Sequence, residues 1–500
     1  MAWSSNSSDS KDRMQARSRN VLTAVAGTLL SGCLLALAGS LHPSWGVAWI
    51  ASIPVLIAAF KSTGRAAWWL GLIAGLIGGL SVFGYYATAA TLPIAVVVTV
   101  LKALLYAGGV RLAWGTRARL SAWIAVFAFP AWFSAFDVLI ATFSANGTVG
   151  SLAYSQMNMP VALQVASFGG VPAVTFVICL FSAAVAHAIA AFETPKRAFA
   201  AVTPALLIVA AALSFGVWRI STARADPTIL VAVAALDQES ELPSDWRASM
   251  EAYRPLLAEA RASGANVLVL PEEIAVVSAK DLPMIAANLG GFASDSKMTL
   301  AVGLRVADTD RLRNVLLLFI SDGRALTYDK QHLVVGLETS KITPGSRPAL
   351  IAEIDGHRLG AAICKDFDFV DVGRSLGFGR AGLVVAPAWD FGVDGWLHGR
   401  MAMLRGVEGG FSLVRSARDG TMSVSDRFGR VLAEAPSGRN APLLVSRAPV
   451  SGTGPTIYAR VGDMFGWACV VVVLLFMMTG VQRPRRMVPL SDRAVFSSRA

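Results

Sequence analysis

One cysteine lies where a thiol could attack a substrate. Cys364 ends the run Leu359-Gly360-Ala361-Ala362-Ile363-Cys364 and is followed by Lys365-Asp366. An apolar run that stops abruptly in charge reads as a buried strand delivering a thiol to the mouth of a site. The other cysteines, Cys33, Cys179 and Cys469, lie inside long apolar stretches. One thiol in the polar part of the chain has no disulfide partner there and is too few for a cysteine-based metal site. Two readings remain: a nucleophile, or an inert buried thiol.

A nucleophilic thiol needs a base, and a carboxylate serves when burial raises its pKa. Glu272 follows the apolar run 265–270 and Pro271. The tetrahedral intermediate needs a positive or N–H-rich site for its oxygen. Lys330, in Tyr328-Asp329-Lys330-Gln331-His332-Leu333, can supply the charge, and the backbone N–H of Lys365 a second donor. Glu, Lys and Cys at three strand ends form a complete acyl-transfer site. Glu273 is a competing base, but neighbouring strand residues point to opposite faces, so only one of the pair can face Cys364. Taken singly, Pro-Glu after a strand also fits a solvated turn, and Lys330 a surface charge.

The elements that must position these groups lie within 220–462, which has ordinary globular composition. Strands are expected at 228–236, 265–270, 300–306, 383–387, 411–417, 421–425 and 430–433, and helices at 246–263, 281–296 and 399–409. Asp322-Gly323 and Asp355-Gly356 mark hairpins between 314–321 and 325–328 and between 350–354 and 358–364. This alternation predicts a layered α/β or α+β domain with helices covering sheets. No repeat, phosphate-binding glycine loop or metal-ligand spacing is present, and no cofactor or metal is expected.

The rest of the chain is written for lipid. Of 500 residues 54% are hydrophobic and 15% charged, too apolar for an ordinary soluble protein. Apolar segments run at about 21–40, 46–60, 66–86, 92–112, 121–142, 162–191, 199–218 and 463–481, giving eight expected spans; against the roughly 20 residues a span needs, 46–60 is short and 162–191 is long enough to tilt or to include a re-entrant part. The net charge of +11 sits at segment ends rather than in one patch, which argues for membrane topology and against nucleic-acid binding. Lys11, Arg13, Arg17, Arg19, Lys61, Arg65, Arg111, Arg117, Arg119, Lys196, Arg197, Arg483, Arg485 and Arg486 flank alternate ends, while the loops between carry no Lys or Arg. The positive-inside rule then places both termini in the cytoplasm and 220–462 on the far side. The expected organisation is a basic cytoplasmic N-terminus 1–20, a membrane domain 21–219 of about seven helices, a catalytic domain 220–462, a last span 463–481 and a cytoplasmic tail 482–500. The first span reads as an uncleaved anchor because others follow at once. Lys102 and Asp137 fall inside spans, where charge is costly; they either pair with each other or reach toward a headgroup region.

Leu270-Pro271-Glu272, Tyr328-Asp329-Lys330-Gln331-His332-Leu333 and Ile363-Cys364, in that order, resemble the carbon–nitrogen hydrolase (nitrilase) superfamily. So do Met401-Ala402, Arg405 and Glu408 in the run from His398. Ser151-Leu152-Ala153-Tyr154-Ser155-Gln156, then Gln164-Val165-Ala166 and Gly169-Gly170, look like the membrane domain of the apolipoprotein N-acyltransferase family. The resemblance covers about 20–480. It implies an αββα sandwich beside the multi-span helical domain, an α+β chain overall. It implies Cys364 as nucleophile, Glu272 as base, Lys330 as oxyanion partner and Glu338 as a further acid near them. The implied reaction moves an acyl chain from a phospholipid through a Cys thioester to the amine of a diacylated lipoprotein. The implied setting is the bacterial cytoplasmic membrane, with the catalytic domain on its outer side and the protein a monomer.

The chain departs from that family around the site. Lys365-Asp366 stands where Tyr-Glu is usual, Val334-Val335-Gly336-Leu337-Glu338 where Val-Pro-Phe-Gly-Glu is, and Ala388-Trp389-Asp390-Phe391-Gly392 where Asn-Asp-x-Trp-Phe-Gly is. Lys365, Asp366 and Trp389 are therefore the expected supporting or substrate-contacting residues. The apolar runs 333–337 and 389–396 read as lipid-facing lids or as ordinary loop packing. A membrane-tethered amidase shares the same triad, and a silent binding protein is opposed by its intactness. No paired Gly/Pro-broken spans support a transporter.

Overall fold

The computed structural model describes residues 5–191, 195–237, 245–308, 311–346, 349–354, 356–450 and 454–479. Among them, six helices are long and apolar enough to cross a membrane: Val21–Ala38, Gly64–Ala89, Leu92–Arg117, Ala122–Phe143, Ala166–Ala190 and Val202–Ser221. The other two expected spans are shorter apolar helices, Trp45–Phe60, in line with the short segment expected at 46–60, and Met464–Met478. The first helix begins at Ser5, so most of the segment expected as an N-terminal tail is helical. The tail 482–500, with Arg483, Arg485 and Arg486, and Asp355 lie outside the described residues.

Helix packing here follows small residues. Leu92–Arg117 buries Ala95, Thr99, Ala103, Tyr106, Ala107 and Val110, a stripe at three- and four-residue spacing. Val96, Val97, Val100, Leu101 and Leu104 stay exposed on its other side. That is how a helix packs when its outer face meets hydrocarbon and closeness is the main gain. Ala166–Ala190 is broken near its start, where Gly169 and Gly170 leave helical geometry. Gly170 has φ +68°, and a Cβ there would sit 2.5 Å from the Tyr458 ring, so only glycine fits both the turn and the approach.

The remaining strands, in chain order, are β1 (Thr228–Val233), β2 (Val267–Val269), β3 (Val276–Ser278), β4 (Thr299–Ala307), β5 (Leu312–Phe319), β6 (Ala325–Asp329) and β7 (Leu350–Ile354). They continue with β8 (His357–Ala361), β9 (Leu383–Trp389), β10 (Ser412–Arg418), β11 (Thr421–Ser425), β12 (Val431–Pro436) and β13 (Leu444–Pro449). One sheet runs β13-β1-β2-β4-β5-β6 with β3 beside β4; the other runs β12-β11-β10-β9-β8-β7. Their central strands are parallel and buried, as near-continuous apolar runs require. Val231, Val269, Ala301, Val385 and Val414 share one core between the sheets.

Helices cover both outer faces. Trp246–Ala262 is capped by Asp245, which accepts from Arg247 N–H at 2.9 Å, and turns Tyr253, Leu257 and Ala260 inward. Leu282–Ser296 buries Ile285, Leu289 and Ala293, one residue per turn, against the first sheet. Val370–Phe378 and Gly395–Gly409 cover the second sheet. The result is the αββα sandwich joined to a helical membrane part. The short β3, β13 and the helix Val370–Phe378 had no clear signal in the sequence.

The two parts are fastened by polar contacts. Val171 N–H, at the helix break, donates to Glu408 Oε1 at 2.9 Å. Glu408 Oε2 pairs with Arg405 at 2.7 Å, and Arg405 donates to Tyr154 OH at 3.1 Å. Tyr154 OH in turn meets Thr148 Oγ1 at 2.5 Å, and Gln164 donates to Phe428 C=O at 3.0 Å. Trp49 Nε1 donates to Gln156 Oε1 at 2.8 Å, closing the Ser151–Gln156 segment onto the membrane helices. Within the spans, Asp137 accepts from Ser151 at 2.9 Å and Thr175 at 2.5 Å rather than pairing with Lys102.

Candidate active site

Glu272 sits just past β2, in a tight turn against β4. A Cβ at Gly303 would come within 2.6 Å of Glu272 Cα, so glycine there lets the turn lie on the strand. Glu272 N–H reaches across to Ala388 C=O of the second sheet at 3.3 Å. The carboxylate is buried and accepts from Lys330 Nζ at 2.8 Å and Asn314 Nδ2 at 2.6 Å, both on Oε1.

Lys330 leaves the end of β6 and is also buried. Its second partner is Glu338 Oε1 at 2.9 Å. Burial works against the ammonium, but Glu272, Cys364 and Glu338 outweigh it and hold Lys330 charged, well above its ordinary value. Glu338 also accepts from Val334 N–H at 2.7 Å and Asn314 Nδ2 at 3.2 Å, so it folds the 333–337 loop over the lysine.

Cys364 is not the last residue of a strand. Strand β8 stops at Ala361, and Cys364 opens the 3-10 turn Cys364–Asp368 with φ +43°. A non-glycine residue held left-handed is costly and recurs at functional sites. The thiol is partly exposed and points to Trp389 C=O at 3.5 Å. Burial pushes it well above the usual thiol range; Glu272 adds to this, while Lys330 pulls the other way. The resting group is therefore a neutral thiol beside a carboxylate and an ammonium. That arrangement can pass a proton to the carboxylate as sulfur attacks, with the ammonium facing the developing oxyanion.

Four other residues that the sequence singled out meet the following partners. Glu273 is in the turn rather than on a strand, with φ +52°, and its carboxylate is taken by Arg305 at 2.9 and 2.5 Å. Burial and Glu272 raise it to about 7 against the pull of Arg305 and, less strongly, of Lys330. Asp366 is buried: it accepts from Tyr328 OH at 2.8 Å, from Gln331 and His332 N–H at 3.1 and 2.8 Å, and from Ile363 N–H at 3.1 Å. It is a brace between the cysteine turn and the lysine loop, and burial lifts it to about 6. Lys365 is buried and donates to Asn146 Oδ1 at 3.0 Å, so it does not present its amine to lipid. Trp389 anchors its indole on Asp419 at 2.8 Å under the Arg418 guanidinium, and it is the backbone carbonyl that meets Cys364.

Three features escaped the sequence reading. Asn314, at the mouth of the apolar run of β5, ties Glu272 to Glu338. Arg415 and Asp390 form a buried bidentate pair at 2.9 and 2.5 Å beneath the site. His398 stands between Asp394 at 3.2 Å and Asp368 at 3.4 Å, and Tyr85 of the membrane part donates to Asp394 at 2.7 Å. The polar residue opening β5 was the one visible signal; the other groups meet only through the fold. The loops 333–337 and 389–396 expose Val335, Leu337, Phe391 and Val393 beside this cluster.

Comparison with known proteins matches this architecture in two blocks. Residues 31–184 match the family model described as apolipoprotein N-acyltransferase N-terminal domain, and residues 230–447 that described as carbon-nitrogen hydrolase. The apolipoprotein N-acyltransferase of Geobacter metallireducens is 29% identical over 493 residues, 88% of this chain and 92% of that protein. The chain is similar to apolipoprotein N-acyltransferases along most of its length. A member from Azotobacter vinelandii is 24% identical over 89% of this chain and 93% of its own length. One from Brucella melitensis is 26% identical over 83% and 84%. Among solved structures, an amidase from Nesterenkonia sp. aligns over 48% of this chain and 94% of its own, at 22% identity and a TM-score of 0.41. The chain is a multi-pass membrane protein whose six long apolar helices precede the sandwich.

Proposed function

We propose that this protein transfers a fatty acyl chain from a phospholipid, through a thioester on Cys364, to the N-terminal amine of a diacylglyceryl-cysteine lipoprotein. The observation that carries this is the meeting of Glu272, Lys330 and Cys364 directly above the membrane part, where Thr148 N–H and Oγ1 both reach Asp368 C=O of the cysteine turn at 2.9 Å. A thiol fastened to membrane helices suits substrates that are both lipids.

In the first half-reaction Glu272 takes the Cys364 proton and sulfur attacks the ester carbonyl. Lys330 faces the tetrahedral oxyanion, and Glu338 keeps Lys330 in place. Collapse breaks the C–O bond, and the proton held by Glu272 goes to the departing lysophospholipid oxygen. In the second half, the acceptor amine attacks the thioester and loses a proton to Glu272. The C–S bond breaks, and the proton returns to sulfur. No redox or metal step is required by this balance.

The reading includes the proposed organisation: membrane domain 21–219, catalytic domain 220–462 on the outer face of the cytoplasmic membrane, and a last span at 463–481. A monomer suffices, since every group named comes from one chain. The test is intact-mass analysis of the purified protein mixed with phospholipid. The expected result is one acyl adduct, located on Cys364 and discharged by a diacylated lipopeptide. A wild-type protein that takes no acyl chain while the lipopeptide stays unmodified would overturn the reading.

A further inference from the structure

We propose that Asn314 is a positioning residue that decides which oxygen of Glu272 acts as the base. The proposal rests on the acyl-transfer reading above. Oε1 of Glu272 receives Lys330 Nζ at 2.8 Å and Asn314 Nδ2 at 2.6 Å. Two donors occupy the two lone-pair directions of that oxygen. Among the described residues no donor reaches Oε2. The lone pairs of Oε2 are thus the ones open to a proton, and the Cys364 S–H bond breaks toward that atom while sulfur bonds to the ester carbon. The same proton leaves Oε2 for the alkoxide oxygen when the C–O bond breaks.

The amide has a second task. Its Nδ2 also reaches Glu338 Oε1 at 3.2 Å, and Lys330 reaches the same atom at 2.9 Å. Each facing carboxylate oxygen therefore sees two donors. Neighbouring carboxylates otherwise tend to hold a proton between them. Here Lys330 and Asn314 stand between the two facing oxygens. Asn314 Oδ1 has no partner among the described residues, so the side chain serves as a donor alone. Its backbone does separate work: Lys330 N–H donates to Asn314 C=O at 2.9 Å, a contact that survives any side-chain change. The charged and titratable groups around Glu272 are Lys330 from β6, Glu338 from its loop, Glu273 in the same turn, Cys364 in the 3-10 turn and Arg418 at the end of β10.

The test measures thioester formation on Cys364 from mixed micelles of phosphatidylethanolamine and phosphatidylglycerol between pH 5 and 9. It compares wild type with Asn314→Leu, which keeps shape without a donor, and Asn314→Ser, which keeps one donor on a shorter arm. Losing a donor to a carboxylate disfavours its charged form, so the acid limb should move up by about one pH unit in the leucine variant. The rate on that limb then falls up to about tenfold and recovers as pH rises. Serine should shift in the same direction by less, and it carries the test if the leucine variant does not fold. An unchanged profile, or a fall of equal size at every pH, overturns the assignment while leaving acyl transfer intact. A wild-type protein that forms no thioester removes the acyl-transfer reading and this inference with it.

Discussion

Lys365 Nζ donates to Asn146 Oδ1 at 3.0 Å, so the residue that follows the nucleophile is held by the loop after the Ala122–Phe143 helix. The catalytic turn is thereby pinned to the membrane part at the point where the thiol emerges. A buried hydrogen bond from a charged donor is worth about 1.5–3 kcal/mol. Lys365→Met, which keeps the stem and removes the amine, should lower the thermal midpoint in detergent and slow acylation of Cys364 several-fold. Full acylation at unchanged stability would remove Lys365 from this role.

The thiol is held neutral by burial and then by Glu272. Glu272→Gln should therefore do two opposite things. Acyl transfer is lost with the base, yet iodoacetamide alkylation of Cys364 at pH 8 rises, because a charge that opposed the thiolate is gone. Slower alkylation than wild type would count against Glu272 as the neighbour that sets the thiol.

Glu338 holds both Lys330 Nζ and Val334 N–H. Replacing it with glutamine weakens charge-assisted contacts worth about 1.5–3 kcal/mol, equivalent to roughly a 10- to 100-fold loss in kcat. Single-turnover acylation, followed by mass, reads this directly; a change confined to KM would assign Glu338 to substrate binding instead.

His398 responds to alkali. Burial opposes its charge, but Asp368 and then Asp394 outweigh it and lift the imidazole to about 10. A folded-state value above the ordinary value of about 6.5 stabilises the protein fully below that pH and progressively less as pH rises through about 10. The gap in thermal midpoint between wild type and His398→Gln should be widest below about pH 6.5 and close toward pH 10. A gap independent of pH would mean that His398 acts by packing alone.

Glu408 joins buried Arg405 to Val171 N–H of the membrane part. Glu408→Ala leaves a buried guanidinium without its carboxylate, a loss of about 3–5 kcal/mol. Thermal unfolding in detergent should show a large fall, and Glu408→Gln a smaller one because it still accepts from Val171. Equal stability of both variants and wild type would show that the pair contributes nothing at this junction.

The sequence by itself determined which residue types stand at strand ends and which segments need lipid. Periodicity marked the helices at 246–263 and 281–296, apolar runs marked the central strands, and charge at segment ends marked the spans, because each signal is local. Cys364 and Glu272 stood out because each follows an apolar run, and Lys330 because of its place in Tyr328-Asp329-Lys330-Gln331-His332-Leu333. What only the tertiary structure decided was direction. Lys365 and Asp366 follow the thiol in the chain, yet a left-handed 3-10 turn sends one to Asn146 and the other to Tyr328 and Ile363. Glu272 and Glu273 are adjacent, and a tight turn gives one to Lys330 and the other to Arg305. Asn314 joins the site across 42 residues from Glu272, a distance that no local pattern spans and that strand pairing in three dimensions removes.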